Sequence, residues 1–402
     1  MINPAVESLP GNAFVRLRAL LDPLTPAVND PIPMSIGEPQ LSPPAWTAEI
    51  IAKNAHLWNR YPPSEGTPEL RAACAAWAGR RFGLPARLPD PATQVLSATG
   101  SREALYLFAQ VAVPAAKDGR RPVVLLPNPY YQVYRAAAEM TGAEVVPVPA
   151  AAETGFLPDY AALSPEVLSR TALAMICTPS NPEGAAADLP RLAGLVRLAR
   201  AYDFVLGSDE CYCELYLDAP TPSALEAALS VGGTADPFAN VITFHSLSKR
   251  SSAPGLRSGF VAGDSALIRA FAHLRGFGAV QMPLPIQAAA AALWNDDAHV
   301  AENRAHYRRL FAAADRIFAG YPGYRRPDGG FFLWLDVGDG EAFARRAWTE
   351  AGVRVVPGRY LTADQPDAPH GNLGHPFVRI ALVRDEDTVT RALSALRRLL
   401  DR

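Results

Sequence analysis

The stretch VITFHSLSKRSSAPGLRSGFVAG, Val241 to Gly263, holds two short apolar runs, VITF and GFVAG, separated by a polar turn that carries one lysine, Lys249. Short apolar runs bounded by Gly, Pro and small polar residues read as strands buried on both faces. Five more runs of this kind precede them: QVLSAT at 94–99, PVVLLP at 122–127, EVVPVP at 144–149, ALAMICT at 172–178 and FVLGSD at 204–209. Between most of them lie segments with helical spacing, such as SREALYLFAQVAV at 101–113 and DLPRLAGLVRLARAY at 188–202. That alternation predicts an α/β fold, a seven-stranded and mostly parallel sheet with helices on both faces.

From about Ile286 the texture changes. An Ala- and Arg-rich helical stretch leads to strand-like GGFFLWLDV at 329–337, helical EAFARRAWTEAG at 341–352, strand-like VRVVP at 353–357 and FVRIALV at 377–383, and a closing helix. The pattern predicts a large domain over 36–285, a smaller α+β domain over 286–402, and a Pro-rich arm over 1–35 that joins the smaller one.

Composition narrows the function classes. With 402 residues, 49% hydrophobic content and a net charge of -2, the chain can bury a large core and has no basic block for nucleic acid or a membrane surface. Its opening, MINPAVESLPGNAF, lacks a basic flank and an apolar stretch, so no signal peptide is expected, and no apolar run is long enough for a membrane helix. Cys74, Cys177, Cys211 and Cys213 show no zinc-ligand spacing. They fit a reducing cytoplasm and no metal site, and the spacing of two puts Cys211 and Cys213 on one face of a strand end.

The polar residues that interrupt the pattern fall at strand ends, where open α/β sheets bind ligands. Gly100-Ser101-Arg102 follow QVLSAT and open a helix; Asn181 follows ALAMICT; Asp209 and Tyr212 follow FVLGS; Ser246, Ser248 and Lys249 follow VITF. Each alone has a plain reading as a cap, turn or surface residue. Together they supply an anion site, an amide, a carboxylate and an amine. A lysine becomes a nucleophile when burial and nearby cations disfavour its ammonium, and Arg250 and Arg257 are the expected cations. Pyridoxal phosphate asks for this set: an amine for its aldehyde, a carboxylate against its ring nitrogen, and helix N–H groups, hydroxyls and an arginine for its phosphate.

The motifs SLSKRSSAPGLRSG, PSNPEG, SDECY, PNPYYQVY, YPPSEGTPELR, IGEP and FVRIAL resemble, in the same order, those of the class I/II aminotransferases of the fold-type I pyridoxal-phosphate family. The resemblance is strongest to the succinyldiaminopimelate aminotransferase branch. It implies that Lys249 bonds the cofactor aldehyde and then shuttles the substrate's α-proton, that Asp209 pairs with the ring nitrogen, and that Tyr212 and Asn181 hydrogen-bond the ring's phenolic oxygen. Tyr131 matches the aromatic that stacks on the ring. Gly100, Ser101, Ser246 and Arg257 match phosphate contacts, with Arg102 beside them. Arg379 matches the arginine that grips the substrate α-carboxylate, with Gly37 and Asn181 assisting. Tyr61 matches a tyrosine that reaches the phosphate of the neighbouring subunit, which implies a homodimer.

The implied partners are small amino acids and 2-oxoacids: glutamate with 2-oxoglutarate, and N-succinyl-LL-2,6-diaminopimelate of lysine biosynthesis. Aspartate, alanine or aromatic specificity, and a lyase on the same fold, are the alternatives. A non-catalytic regulator would need a DNA-binding domain, for which the residues before the fold leave little room. Two departures bear on the substrate. Glu183 stands where the family usually has threonine and is expected near the entrance, where it would oppose an acidic chain. The stretch RGFGAVQMPLP at 275–285 differs from the branch.

Overall fold

In the computed structural model, which describes residues 2–7, 9 and 11–402, twelve strands form. They are β1 (Ile32–Pro33), β2 (Val95–Ala98), β3 (Val123–Asn128), β4 (Glu144–Pro149), β5 (Thr171–Cys177), β6 (Val205–Asp209), β7 (Val241–Ser246), β8 (Gly259–Gly263), β9 (Phe332–Asp336), β10 (Val353–Arg354), β11 (Val356–Pro357) and β12 (Phe377–Ala381).

The seven runs expected from the sequence build one sheet in the order β2-β8-β7-β6-β5-β3-β4. Every residue of β2, β3, β5, β6, β7 and β8 is buried, which is why these runs are continuously apolar instead of alternating. In β3, Val123 and Leu125 face one helical layer while Val124 and Leu126 face the other. The half-buried edge strand β4 carries Pro147 and Pro149, tolerable there because an edge leaves N–H positions unpaired. Only β8 runs against the others, paired antiparallel to both β2 and β7. From β3 the chain winds outward to β4, then returns through β5 and on to β6 and β7. The winding therefore reverses between β3 and β5, and loops leaving their carboxyl ends part there to open a crevice.

A second sheet of β9, β11 and β12 is antiparallel in the order β11-β12-β9. Its core includes Leu333, Leu335, Val378 and Ile380, the C-terminal helix residues Leu393 and Leu396, and Leu17 and Leu21 of the helix Ala13–Leu21. The segment after that helix pairs β1 with β10. VRVVP is not one strand: Val353–Arg354 pairs with β1 and Val356–Pro357 with β12, so the run divides at Val355. Among the described residues no helix is long and apolar enough to cross a membrane.

Candidate active site

The crevice holds a cavity of about 220 Å³. Lys249 enters it from a one-turn helix, Leu247–Arg250, whose start is capped by Ser246 Oγ accepting from the Ser248 N–H at 3.1 Å. Lys249 Nζ donates to the Gly37 carbonyl at 2.9 Å and lies 5.0 Å from the centre of the Phe331 ring. Burial brings its pKa down to about 8, helped by the charges of Arg379 and Arg102 and opposed by Cys211 and Glu38. The cations are not those expected. Arg250 turns away from Lys249, because successive helical residues diverge, and is spent on Leu293 O at 2.6 Å and Asp297 at 2.9 Å.

Asp209 ends β6. Its Oδ1 accepts from the Cys211 N–H at 3.2 Å and its Oδ2 from the Tyr134 hydroxyl at 2.5 Å. Burial raises its pKa, while the donors of Cys211 and Tyr134 and the charge of Lys249 oppose the rise. Across the cavity, Arg379 in the middle of β12 donates to Asn181 Oδ1 at 3.1 Å and to the Ser35 carbonyl at 2.9 Å, over the Phe332 ring at 4.4 Å. Its Nε is buried with no acceptor, and burial lowers its pKa to about 10, so the guanidinium stays charged at neutral pH.

Gly100 precedes the helix Ser101–Ala112 with φ +85°, and a Cβ there would lie 2.4 Å from Arg257 Nη2. Only glycine permits this approach, which sets a guanidinium beside the first-turn N–H groups of the helix and makes an anion cradle. Arg102 Nε donates to the Tyr131 hydroxyl at 2.8 Å.

Gly37, Ser101, Arg102, Tyr131, Asn181, Asp209, Tyr212, Lys249 and Arg379 thus line one cavity. Gly100, Ser246 and Arg257 stand at its edge through the contacts above. Tyr61 does not join them: within one chain it is fully exposed. Tyr134, Cys211 and Phe332 also line the cavity, where the sequence had not placed them. Tyr134 sits in PNPYYQVY three residues after Tyr131, a spacing that places both on one side of a helix start.

Two expectations are corrected. Glu183 is not at the entrance: it is 2% exposed, and it does not line the cavity. Arg325 donates to its carbonyl, and burial raises its carboxyl to about 8 against the opposing effects of Ser180 and Arg325, leaving it neutral near pH 7. Cys211 and Cys213 do not share a strand face. The chain leaves β6 at Asp209 and turns, so Cys211 packs beside Tyr212 while Cys213 packs in the separate core of Trp77.

The chain matches the family model described as aminotransferase class I and II over residues 29–396. It belongs to that family. It is 32% identical over 366 residues to the 4-dedimethylamino-4-oxo-anhydrotetracycline transaminase OxyQ of Streptomyces rimosus, covering 90% of this chain and 92% of that one. It is 31% identical to the LL-diaminopimelate aminotransferase of Moorella thermoacetica over 413 aligned residues, covering 98% and 97%. The crystal structure of an aminotransferase from Neisseria meningitidis superposes with a TM-score of 0.92 at 37% identity, covering 99% of this chain and all of that one. Class I/II aminotransferases depend on pyridoxal phosphate, and the residues of this chain fit it. Asp209 is a buried acid with two donors and no ion-pair partner among the described residues, a place for a protonated ring nitrogen. The Gly100 cradle suits the phosphate, and the orphaned Nε of Arg379 suits a substrate carboxylate.

Proposed function

We propose that this aminotransferase moves an amino group between glutamate and 2-oxoglutarate on one side and N-succinyl-LL-2,6-diaminopimelate and its 2-oxo form on the other. The observation that carries the transfer chemistry is a buried lysine amine with a pKa near 8, facing both a buried carboxylate and an arginine with a free buried N–H. Bound pyridoxal phosphate supplies an aldehyde for amines and a ring that accepts the electron pair left when the substrate's Cα–H bond breaks.

The chain's residues do the rest. Lys249 Nζ, neutral in a useful fraction near pH 7–8, takes the Cα proton and returns it on the far side of the transferred nitrogen. Asp209 keeps the ring nitrogen protonated; Tyr212 and Asn181 hold the ring's phenolic oxygen; Tyr131 stacks on the ring. The Gly100–Ser101 helix start, Ser246, Arg257 and Arg102 hold the phosphate. Arg379 fixes the α-carboxylate in a planar fork, which lysine could not supply. In this reading residues 36–285 hold the cofactor, and 286–402 with the arm 1–35 bring Arg379. Tyr61 completes the phosphate site of a second subunit.

The distal chain of the substrate meets Ala13, Phe14, Ile36, Gln132 and Leu361, none of them acidic. Glu183 is sealed away from that wall of the cavity. A second reading is favoured by the Moorella relative, whose name specifies LL-diaminopimelate without an acyl group.

Supplying amino donor alone tests the reaction type. A transaminase releases one equivalent of 2-oxoacid per site and no ammonia, whereas a lyase turns over and releases ammonia. Comparing donors with 2-oxoglutarate as acceptor tests the substrate. The N-succinyl compound is expected to exceed aspartate, alanine and aromatic amino acids at least ~10-fold in kcat/KM. Preference for unacylated diaminopimelate would select the second reading, and preference for aromatic or aliphatic donors would remove both.

A further inference from the structure

Next to the lysine turn lies a second cleft, lined by Trp46, Ser251, Ser252, Asp296, His299 and Asn303. His299 Nδ1 is 2.5 Å from Asp296 Oδ1 and its Nε2 is 2.8 Å from Ser251 Oγ. These are the distances of a nucleophile, base and acid, but Ser251 is only 2% exposed, so no acyl substrate reaches its hydroxyl. The arrangement is a brace, and Asn303, one helical turn further along, completes it. Asn303 Nδ2 donates to the carbonyls of Lys249 at 2.9 Å and Arg250 at 3.0 Å, while its Oδ1 accepts from Ser252 Oγ at 2.9 Å.

We propose that Asn303, with His299 beside it, is a positioning residue for Lys249. The helix Leu247–Arg250 is a single turn, so the carbonyls of Lys249 and Arg250 have no helical partners. Ser252, just beyond, has φ +48°, a left-handed conformation that a residue with a side chain holds only when its surroundings fix it. Asn303 satisfies both carbonyls and pins Ser252 through one amide. His299 and Asn303 belong to the helix Ala298–Ile317, and Arg304 of that helix donates to the Glu214 carbonyl at 2.7 Å, two residues past Tyr212. Further along, Leu310, Phe311 and Ala314 pack in the core of the sheet that carries Arg379. One helix therefore joins the lysine that moves the proton, the turn after Asp209, and the strand that fixes the substrate carboxylate. Proton transfer depends on the registration of these groups at the level of about 1 Å.

The inference rests on Lys249 being the residue that bonds the cofactor. The test uses the full-length loaded protein with Asn303→Ala, His299→Ala and, exposed on the same helix and away from this cleft, Arg316→Gln as control. Three quantities are read: the pH midpoint of the visible band, kcat against KM for the amino donor, and thermal melting. Asn303→Ala is expected to move the band midpoint by about half a pH unit or more and to lower kcat roughly tenfold with KM within about threefold. His299→Ala shifts both in the same direction by less, and Arg316→Gln shifts neither. A folded Asn303→Ala protein that melts earlier but keeps the wild-type midpoint and kcat overturns the proposal. So does an unaltered His299→Ala protein if Asn303→Ala does not fold. If borohydride traps no cofactor on Lys249 of the wild type, the proposed function falls and this inference with it; variants matching a trappable wild type overturn this inference alone.

Discussion

The protonation of Asp209 depends on what surrounds it. Burial favours the protonated acid, and the Tyr134 hydroxyl at 2.5 Å and the Cys211 N–H at 3.2 Å work the other way. Tyr134→Phe removes one donor while keeping the ring that packs against Tyr131 at 5.6 Å. A hydrogen bond to a charged group contributes about 1.5–3 kcal/mol, so the variant should lose roughly 10- to 100-fold in kcat, with weaker cofactor retention and little change in donor KM. Steady-state kinetics and cofactor titration check this; wild-type kcat would show that Cys211 alone suffices. Asp209, Lys249 and Asn181 were legible in the sequence because each ends a buried apolar run or stands within a few residues of its end. Tyr134 was not, since its partner ends a strand two places away in sheet order, β3-β5-β6, and that order is not written in local pattern.

The turn after β5 shows what an element can hide. Ser180 N–H donates to the Ala185 carbonyl, Gly184 N–H to Ser180, and the N–H groups of Asp328 and Gly329 close over the Gly184 carbonyl. Gly184 has φ +69°, and a Cβ there would meet Pro327 at 2.4 Å. Closure by residues so remote in sequence is not legible in PSNPEG, which is why the sequence placed the carboxylate of the buried Glu183 at an entrance. The consequence is a pH dependence of stability. The folded carboxyl, raised by burial from an ordinary 4.5 to about 8, holds its proton where the unfolded one has lost it. Its folded form is therefore favoured most below about pH 4.5, and the advantage declines from there to about pH 8. Glu183→Gln removes that decline and should be more stable than wild type at pH 8 by on the order of 2–4 kcal/mol, with little difference at pH 5. Glu210, raised by burial to about 7, titrates in the same window, so the quantity to read is variant minus wild type in denaturant melts at both pH values. Parallel losses would mean that Glu183 titrates like a solvated acid. Strands such as β3 and β6 were readable because both faces are buried, whereas the division of VRVVP depended on two partners, β1 and β12, remote in sequence.

At the scale of the whole molecule, one residue of the expected site has no role inside a single chain. Tyr61 is fully exposed, and Trp58, Phe277 and Val280 are exposed with it. Their loops run along the same strand: the Ser97 N–H donates to the Glu65 carbonyl, and Thr99 Oγ1 donates to the Val280 carbonyl at 2.6 Å, just before Gly100. Large apolar side chains exposed together commonly mark an interface, and here they border the phosphate cradle. In a symmetric dimer each site would take Lys249 from one subunit and Tyr61 from the other. Complementation decides this. Tyr61→Phe and Lys249→Ala proteins are each impaired at both sites, but a heterodimer formed from them contains one site with native Lys249 and native Tyr61 and one with neither. Random exchange at equal amounts makes half the dimers mixed, so about a quarter of all sites should become native and activity should exceed the average of the two parents. If Tyr61 acts within its own chain, the subunit that keeps Lys249 still lacks the tyrosine hydroxyl, and mixing restores nothing.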